Sequence, residues 1–270
     1  MRTSGFAQNS FSRSGRPAQD LEFTGERIVP GSVSEALFRE HEARYIFAGQ
    51  YVAGKKVLDI ACGTGIGTSY LLKVGAQSCI GLDIDKRTIG YAKTVYPECT
   101  FGVSDALDIT LVDSSVDVVV SFETIEHVSD QVKFLMECSR VLRSGGLLIC
   151  STPNKKVYRW LGTNPFHVRE YTLKEFEALL ESKFDCIDYY AQAPRFYFTY
   201  VARALTSRCL SFFGVKDAVK RFTRWKASPL SVQGAFGEGG GVLVEAVKPL
   251  RRSTFVESAY LIGVGRKPPE

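Results

Sequence analysis

The sequence lacks the features that would place the protein in a membrane or outside the cell. No run approaches the ~20 consecutive apolar residues of a membrane-spanning helix, although 45% of the 270 residues are hydrophobic. The first 20 residues are rich in Ser, Arg, Gln and Gly and contain no apolar segment, so we expect a disordered tail and not a signal peptide. The seven cysteines contain no CxxC pair, which favours reduced packing residues in a cytoplasmic protein.

The charge balance limits the class of partner. The formal net charge is +5, which is mild, and no recognisable RNA-binding module is present. We therefore expect no DNA partner, and an RNA partner is disfavoured. The hydrophobic content is ample for one α/β core with an additional segment.

A glycine-rich loop follows the first strand-like segment. The run Val57–Ala61 is apolar except for Asp59, as expected for a central parallel strand that is buried on both faces. Gly63, Gly65 and Gly67 follow, where they permit a tight turn and a close approach of the backbone to a ligand. The GxGxG spacing differs from the GxGxxG of dinucleotide sites, and Asp59 would repel a pyrophosphate. A carboxylate suits a cofactor that carries sulfonium and ammonium groups.

Two further aspartates follow later strands. Asp83 ends the strand that begins at Cys79, at the distance of about 20 residues from the glycine loop that one helical crossover requires. A carboxylate there can accept hydrogen bonds from both ribose hydroxyls. Asp105 follows the short strand Thr100–Val103. Each aspartate alone is typical of a turn or a helix cap, whereas carboxylates at three successive strands indicate a cofactor site.

Together these motifs resemble those of class I S-adenosylmethionine-dependent methyltransferases. The resemblance covers roughly residues 23 to 190. It implies the cofactor S-adenosyl-L-methionine, with Asp105 accepting a hydrogen bond from the adenine amino group and the next amide meeting a ring nitrogen. The expected cofactor-binding residues are Arg44, Asp59, Ala61, Cys62, Gly63, Gly65, Gly67, Asp83, Ile84, Asp105, Ala106, Phe122 and Glu123.

The expected helix before the sheet begins at about Ser34 and has charged residues beside an apolar face. In enzymes that this chain resembles, such a helix closes over the cofactor, and Arg44 or Tyr45 is then placed to touch the cofactor carboxylate. An amphipathic helix that simply packs on the sheet is the alternative.

Strands and helices alternate from Lys55 to about Tyr190, which predicts an α/β fold with a parallel, doubly wound sheet. We expect strands near residues 56–61, 79–84, 99–103, 116–121, 146–151 and 184–190. A helix over Gln131–Leu142 should end at the glycines 145 and 146. The resemblance implies a seven-stranded Rossmann-like sheet in which the last strand, Ser258–Val264, is antiparallel.

The domain organisation follows from these elements. We expect a tail, an N-terminal cap segment, a cofactor-binding core, a helical insertion with a Gly-rich loop, and a C-terminal strand that completes the core. Their respective ranges are 1–20, 21–54, 55–193, 194–242 and 243–270.

Candidate catalytic residues follow the fourth strand, at the sheet edge where ligands gather in open α/β folds. If Glu123 begins a helical turn, Glu126 and His127 share its face. His127 could then be a general base that a neighbouring carboxylate orients. Alternatively, these three residues and His167 bind a divalent cation such as Mg²⁺, which lowers the pKa of a coordinated hydroxyl. The E-x-x-E-H spacing resembles that of ubiquinone-biosynthesis O-methyltransferases and of small-RNA 2′-O-methyltransferases.

His167 lies in a loop before the predicted helix Leu173–Leu180. Thr172 and Glu175 form a capping box at the start of that helix. Loop residues at strand ends are free to serve a site, although a histidine in a loop is more often an ordinary surface residue.

Three short strings resemble bacterial methyltransferases of surface-polysaccharide and other glycan pathways. They are Phe23–Arg27, Glu40–Tyr45 and Phe166–Tyr171. The resemblance implies O-methylation of a sugar in a glycan or glycolipid pathway. The alternatives are a quinol or phenolic acceptor, an RNA 2′-hydroxyl, or a degenerate module that binds the cofactor without catalysis.

The segment from residue 194 to 226 is basic and aromatic, with Asp217 as the only acid between Arg195 and Lys226. Such a segment could lie peripherally on the inner membrane face, where lipid-linked glycan precursors are found. Covering the substrate pocket or forming a dimer contact are the alternatives. The Gly-rich stretch Ser231–Gly241 is expected to be a flexible loop.

Overall fold

A mixed β-sheet with helices on both faces forms the centre of the protein. The structure is a computed structural model, and it describes residues 35–158, 164–192, 247–249 and 258–269. The helices are α1 (Glu35–Ala48), α2 (Ile66–Lys73), α3 (Lys86–Val95), α4 (Gln131–Val141), α5 (Lys155–Tyr158) and α6 (Leu173–Glu181). The strands are β1 (Lys56–Ile60), β2 (Ser78–Asp83), β3 (Thr100–Val103), β4 (Val116–Phe122), β5 (Leu142–Pro153), β6 (Asp185–Gln192), β7 (Lys248–Pro249) and β8 (Tyr260–Arg266).

The strand order is β3-β2-β1-β4-β5-β8-β6-β7. Neighbouring strands from β3 to β5 are parallel, and β8 is antiparallel to both β5 and β6. The expected doubly wound sheet with an antiparallel last strand is therefore confirmed. The two-residue strand β7 adds an edge to the seven main strands.

Apolar side chains cover both faces of the sheet, as the fully buried strand β4 and the buried residues Val57–Ile60 of β1 require. On one face α4 and α6 pack Phe134, Leu135 and Phe176 against the sheet. On the other face α1 and α2 pack Phe47 and Leu71. This two-sided burial explains why the central strands are nearly continuous apolar runs.

Helix α4 ends one residue before its predicted end, but the predicted glycine stop after it is wrong. The helix ends at Val141, and Leu142 already has extended backbone and pairs with Val116 of β4. Gly145, with φ of 71°, lies inside β5, where the pairing with β4 shifts register. Gly145 therefore allows an irregular backbone within a long strand and does not end the helix.

Several predictions concern residues outside the described ranges. They include the tail 1–20, the Phe23–Arg27 string and the whole insertion 194–242 with its Gly-rich loop. Within the part of the chain that the structure describes, no helix is long and apolar enough to cross a bilayer. The domain boundaries themselves stay predictions.

Candidate functional site

A cleft of about 480 Å³ opens at the carboxyl ends of β1, β2 and β4, beneath helix α1. Nine of the thirteen predicted cofactor residues line it: Ala61, Cys62, Gly63, Asp83, Ile84, Asp105, Ala106, Phe122 and Glu123. Arg44, Asp59, Gly65 and Gly67 are not among its lining residues. The cleft thus lies where ligands bind in open α/β sheets.

The Asp83 carboxylate organises the glycine loop. Its Oδ2 accepts a hydrogen bond from the amide of Gly63 at 2.8 Å, and its Oδ1 accepts one from the amide of Asp85 at 2.9 Å. Each carboxylate oxygen has two acceptor sites, so both can still accept from a ribose hydroxyl. Ile84 beside it is 68% exposed in the cleft and presents an apolar surface to a ligand ring.

Asp59 lies beneath the loop and is fully buried. Its carboxylate accepts hydrogen bonds from the hydroxyls of Thr68, at 2.7 Å, and Tyr45, at 3.1 Å. Burial raises the pKa of Asp59 to about 7, although these two hydrogen bonds act in the opposite direction. The carboxyl group is therefore poised to ionise when a cation approaches the loop.

Tyr45 fills the space above Gly67. A β-carbon built on Gly67 would overlap the Tyr45 ring. The same ring packs edge-on against Phe122, with centroids 5.0 Å apart. The packed ring of Tyr45 therefore requires glycine at position 67, whereas Gly63 has φ of 54° and turns the chain at the cleft.

Helix α1 contributes one face to the cleft, where the resemblance implied a covering helix, and Phe38, His41 and Glu42 are lining residues that the motifs did not indicate. The contributing residues are Phe38, His41, Glu42 and Tyr45, at helical spacing. The i, i+3, i+4, i+7 pattern was the available signal. Further lining residues that the motifs did not indicate are Ile60, Thr64, Ile66, Ser104, Leu107, Thr124, Val128 and Ser129.

Arg44, also on α1, is not among the residues that line the cleft. Its guanidinium Nη1 donates to Oε1 of Gln192 at 2.8 Å, and its Cζ lies 4.4 Å from the centre of the Tyr260 ring. Arg44 is thus placed over β6 and β8 and not in the cleft between β2 and β4.

Two residues at the cleft have left-handed backbone without being glycine. Ala61, directly after β1, has φ of 59°, and Glu123, directly after β4, has φ of 54°. Such conformations cost of order 1–3 kcal/mol and cluster at functional sites. The expectation that Glu123 begins a helical turn is wrong, because a left-handed residue cannot start a right-handed helix.

The carboxylate of Glu123 consequently does not join Glu126 and His127. Its Oε1 accepts a hydrogen bond from Ser151 Oγ at 2.6 Å. Glu126 instead points inward and is fully buried, with Oε2 accepting from Thr152 Oγ1 at 3.2 Å. The predicted group of four residues is therefore divided between two places.

Glu126, His127 and His167 form a group of their own, with potential ligand atoms all within 4.8 Å of one another. The two imidazole rings meet edge to face at a centroid distance of 5.0 Å. The backbone holds this arrangement, because the amides of Val168 and Arg169 both donate to the carbonyl of Glu126. The loop that carries His167 is thus fastened to the turn after β4.

Hydrogen bonds occupy both ring nitrogens of His167. Nε2 accepts from the amide of Asn164 at 2.9 Å, and Nδ1 donates to Glu170 Oε1 at 3.0 Å. His127 uses Nδ1 to donate to the Phe166 carbonyl at 3.0 Å, so its Nε2 carries the lone pair. That Nε2 lies 3.9 Å from Glu126 Oε1, which is beyond hydrogen-bonding distance.

Glu126 Oε1 has no hydrogen-bond partner. Burial raises the pKa of Glu126 well above its usual range, and the nearby charge of Glu123 acts in the same direction. The neutral carboxylic acid is therefore favoured.

The capping box at the start of α6 is confirmed, since Thr172 and Glu175 exchange both expected hydrogen bonds.

Residues 58–150 match the family described as "Methyltransferase domain". Together with the sheet order and the cleft at the glycine loop, this match indicates a class of protein. Residues 58–150 are similar to the Rossmann-like domain of S-adenosylmethionine-dependent methyltransferases.

Within that class, the chain is similar to a "Probable S-adenosylmethionine-dependent methyltransferase" of Mycolicibacterium smegmatis, with 42% identity over 60% of this chain and 64% of that protein. It is also similar to a "Ubiquinone biosynthesis O-methyltransferase" of Cereibacter sphaeroides, with 34% identity over 38% of this chain and 42% of that protein. The chain thus spans less than two thirds of the length of either relative.

Solved structures share the fold at low sequence identity. One is a putative methyltransferase in complex with the Haloferax volcanii Trm112 activator, with a TM-score of 0.58, 17% identity and coverage of 87% of this chain and 93% of that one. Another is the [4+2]-cyclase SpnF, with a TM-score of 0.56, 18% identity and coverage of 89% and 84%. Because a cyclase shares it, the fold alone does not specify the reaction.

Proposed function

We propose that the protein transfers the methyl group of S-adenosylmethionine to a hydroxyl of a sugar in a glycan or glycolipid pathway. The observation that carries the proposal is the tautomer of His127 at the rim of the cofactor cleft. Because Nδ1 donates to the Phe166 carbonyl, Nε2 is the atom that accepts the proton of an attacking hydroxyl.

The chemistry requires that base. A neutral hydroxyl is a weak nucleophile, and displacement at the sulfonium methyl needs the acceptor oxygen held in line with the bond that breaks. His127 follows β4, next to the strand that carries the glycine loop, so a proton can leave the acceptor as the methyl arrives.

The resemblance of the string Phe166–Tyr171 to glycan methyltransferases supports a sugar acceptor, and the first residue of that string supplies the carbonyl that fixes the tautomer of the base. A quinol is the second candidate, which the similarity to a ubiquinone-biosynthesis O-methyltransferase favours. An assay of purified protein with labelled S-adenosylmethionine and panels of sugars, quinols and RNA separates these acceptors. Cofactor binding without turnover on any of them would favour a module that has lost catalysis.

Substitution of the base tests the mechanism. We expect His127→Ala to lower kcat by roughly 10²- to 10⁴-fold, the usual contribution of a general base, with little change in S-adenosylhomocysteine affinity. His167→Gln is the matched control, and we expect a change below about 10-fold because that side chain only supports the loop. Undiminished turnover in His127→Ala would remove His127 from the mechanism.

A divalent cation fits the observed residues poorly. Both ring nitrogens of His167 have partners, the neutral form of Glu126 is favoured, and Glu123 binds Ser151. Mg²⁺ also prefers oxygen ligands to imidazole. We therefore expect turnover to survive prolonged treatment with EDTA. Loss of activity that Mg²⁺ restores would show that the cation is required.

A further inference from the structure

The guanidinium of Arg44 is a buried group with two unpartnered donors. Its side chain is 0% exposed, and only Nη1 has a hydrogen-bond partner, Gln192. Nε and Nη2 have none. These two nitrogens form one edge of the planar group, so the unpartnered donors are the pair that binds both oxygens of a carboxylate or phosphate.

The surroundings keep this group charged without pairing it. Burial by itself would lower the pKa of Arg44, but the charges of Glu123 and Glu40 and the phenols of Tyr260 and Tyr158 raise it overall. The ring of Tyr260 also stabilises the cation from one side. A buried cation that lacks a hydrogen-bonded anion is costly, so a bound oxyanion would complete the arrangement.

Arg44 lies over the sheet to one side of the cleft, close enough to Glu123 at the cleft wall for that charge to raise its pKa. The cleft lies over the ends of β2, β1 and β4, whereas Arg44 contacts Gln192 at the end of β6 and Tyr260 at the start of β8. In the strand order, β8 and β6 lie beyond β5 on the far side of β4. An acceptor that attacks in line must lie on the side of the methyl group opposite the sulfur. The strands β5 and β8 continue the sheet away from the side where the adenosine of the cofactor is expected.

We propose that Arg44 binds a carboxylate or phosphate group of the methyl acceptor. The acceptor is then an acidic sugar, such as a uronic acid or a sugar phosphate. This inference rests on the proposed function, because an acceptor presupposes methyl transfer. It replaces the expectation that Arg44 holds the carboxylate of the cofactor.

Binding measurements test the proposal without depending on turnover. Protein saturated with S-adenosylhomocysteine is titrated by calorimetry with glucuronate, galacturonate and glucose 1-phosphate, and with glucose and galactose as neutral counterparts. We expect at least one charged sugar to bind about 10-fold or more tightly than its neutral counterpart. The uronates and the sugar phosphate distinguish the two sources of the oxyanion.

Substitutions assign that preference to Arg44. Arg44→Lys keeps the charge but loses the two-donor edge, and Arg44→Gln loses both, so we expect each to abolish the preference for charged sugars. Arg143→Lys, on the amino-terminal half of β5 and paired with Asp117, is the matched control and should keep the preference. No preference in the wild type, or a preference that survives in Arg44→Lys, would overturn the proposal.

A second titration separates the cofactor from the acceptor. S-adenosylhomocysteine has the amino-acid carboxylate that 5′-methylthioadenosine lacks. We expect Arg44→Lys to bind both nucleosides as the wild type does. A selective loss of S-adenosylhomocysteine affinity would assign Arg44 to the cofactor and refute our inference. A wild-type protein that binds neither nucleoside would instead refute the proposed function.

Discussion

The substitution Gly67→Ala tests the contact on which the cofactor cleft depends. Gly67 lies in helix α2 with ordinary helical backbone, and an added β-carbon would overlap the ring of Tyr45. That ring cannot easily yield, because Phe122 packs against it and its hydroxyl donates to Asp59. The substitution should therefore force α1 away from α2.

The expected change in the free energy of unfolding is the sum of two opposing contributions. Alanine is favoured over glycine inside a helix by roughly 0.5–1 kcal/mol. Overpacking of a rigid site costs typically about 1–3 kcal/mol. We expect overpacking to exceed the gain in helix propensity here, with a net loss of about 1–2 kcal/mol in the free energy of unfolding.

Gly90→Ala provides the matched control. Gly90 also lies within a helix, α3, but a β-carbon there meets nothing within 4 Å. Urea unfolding should show that Gly90→Ala stabilises the protein by roughly 0.5–1 kcal/mol, while calorimetry should show reduced S-adenosylhomocysteine affinity only for Gly67→Ala. Similar stabilisation by both substitutions, with unchanged cofactor affinity, would refute the packing argument.

Two further predictions concern buried carboxyl groups. A cationic cofactor favours the ionised form of Asp59, whose pKa is raised by burial to about 7, so S-adenosylmethionine should bind more tightly as the pH rises through neutrality and should release a proton. Calorimetry in buffers of different ionisation enthalpy measures that release, and Asp59→Asn should abolish it; equal release by the variant would contradict the assignment. The raised pKa of Glu126 means that its contribution to stability is complete below the unfolded pKa and is lost as the pH rises through the folded value. Glu126→Gln removes this dependence, so its stability relative to wild type should increase from acidic to alkaline pH in urea unfolding, whereas a constant difference would show that Glu126 is already ionised.

Periodicity and strand-end chemistry made the core of the fold predictable. The apolar run at β1, the glycine loop, the aspartate that ends β2 and the aspartate after β3 are local signals, and each lies where the parallel sheet brings it to one edge. The antiparallel last strand was predicted through resemblance. The capping box before α6 was readable because its hydrogen bonds join residues only three positions apart.

Features that depend on backbone conformation or on packing between distant residues could not be predicted from the sequence. Nothing local indicates that Glu123 has φ of 54°, which directs its carboxylate to Ser151 and away from Glu126. The reason for Gly67 lies more than twenty residues earlier in the chain, in the ring of Tyr45. The direction of Arg44 depends on Gln192, at a sequence separation of 148 residues.

The hydroxyl of Tyr45 joins the helix that covers the cleft to the carboxyl group beneath the glycine loop. The packing of α1 over the cleft and the binding of the cofactor in the cleft are therefore coupled equilibria, because both involve this hydrogen bond. By linkage, whatever factor the seated helix adds to the affinity for the cofactor, the cofactor adds to the stability of the seated helix. The methyl donor would then help to build the wall that separates it from water.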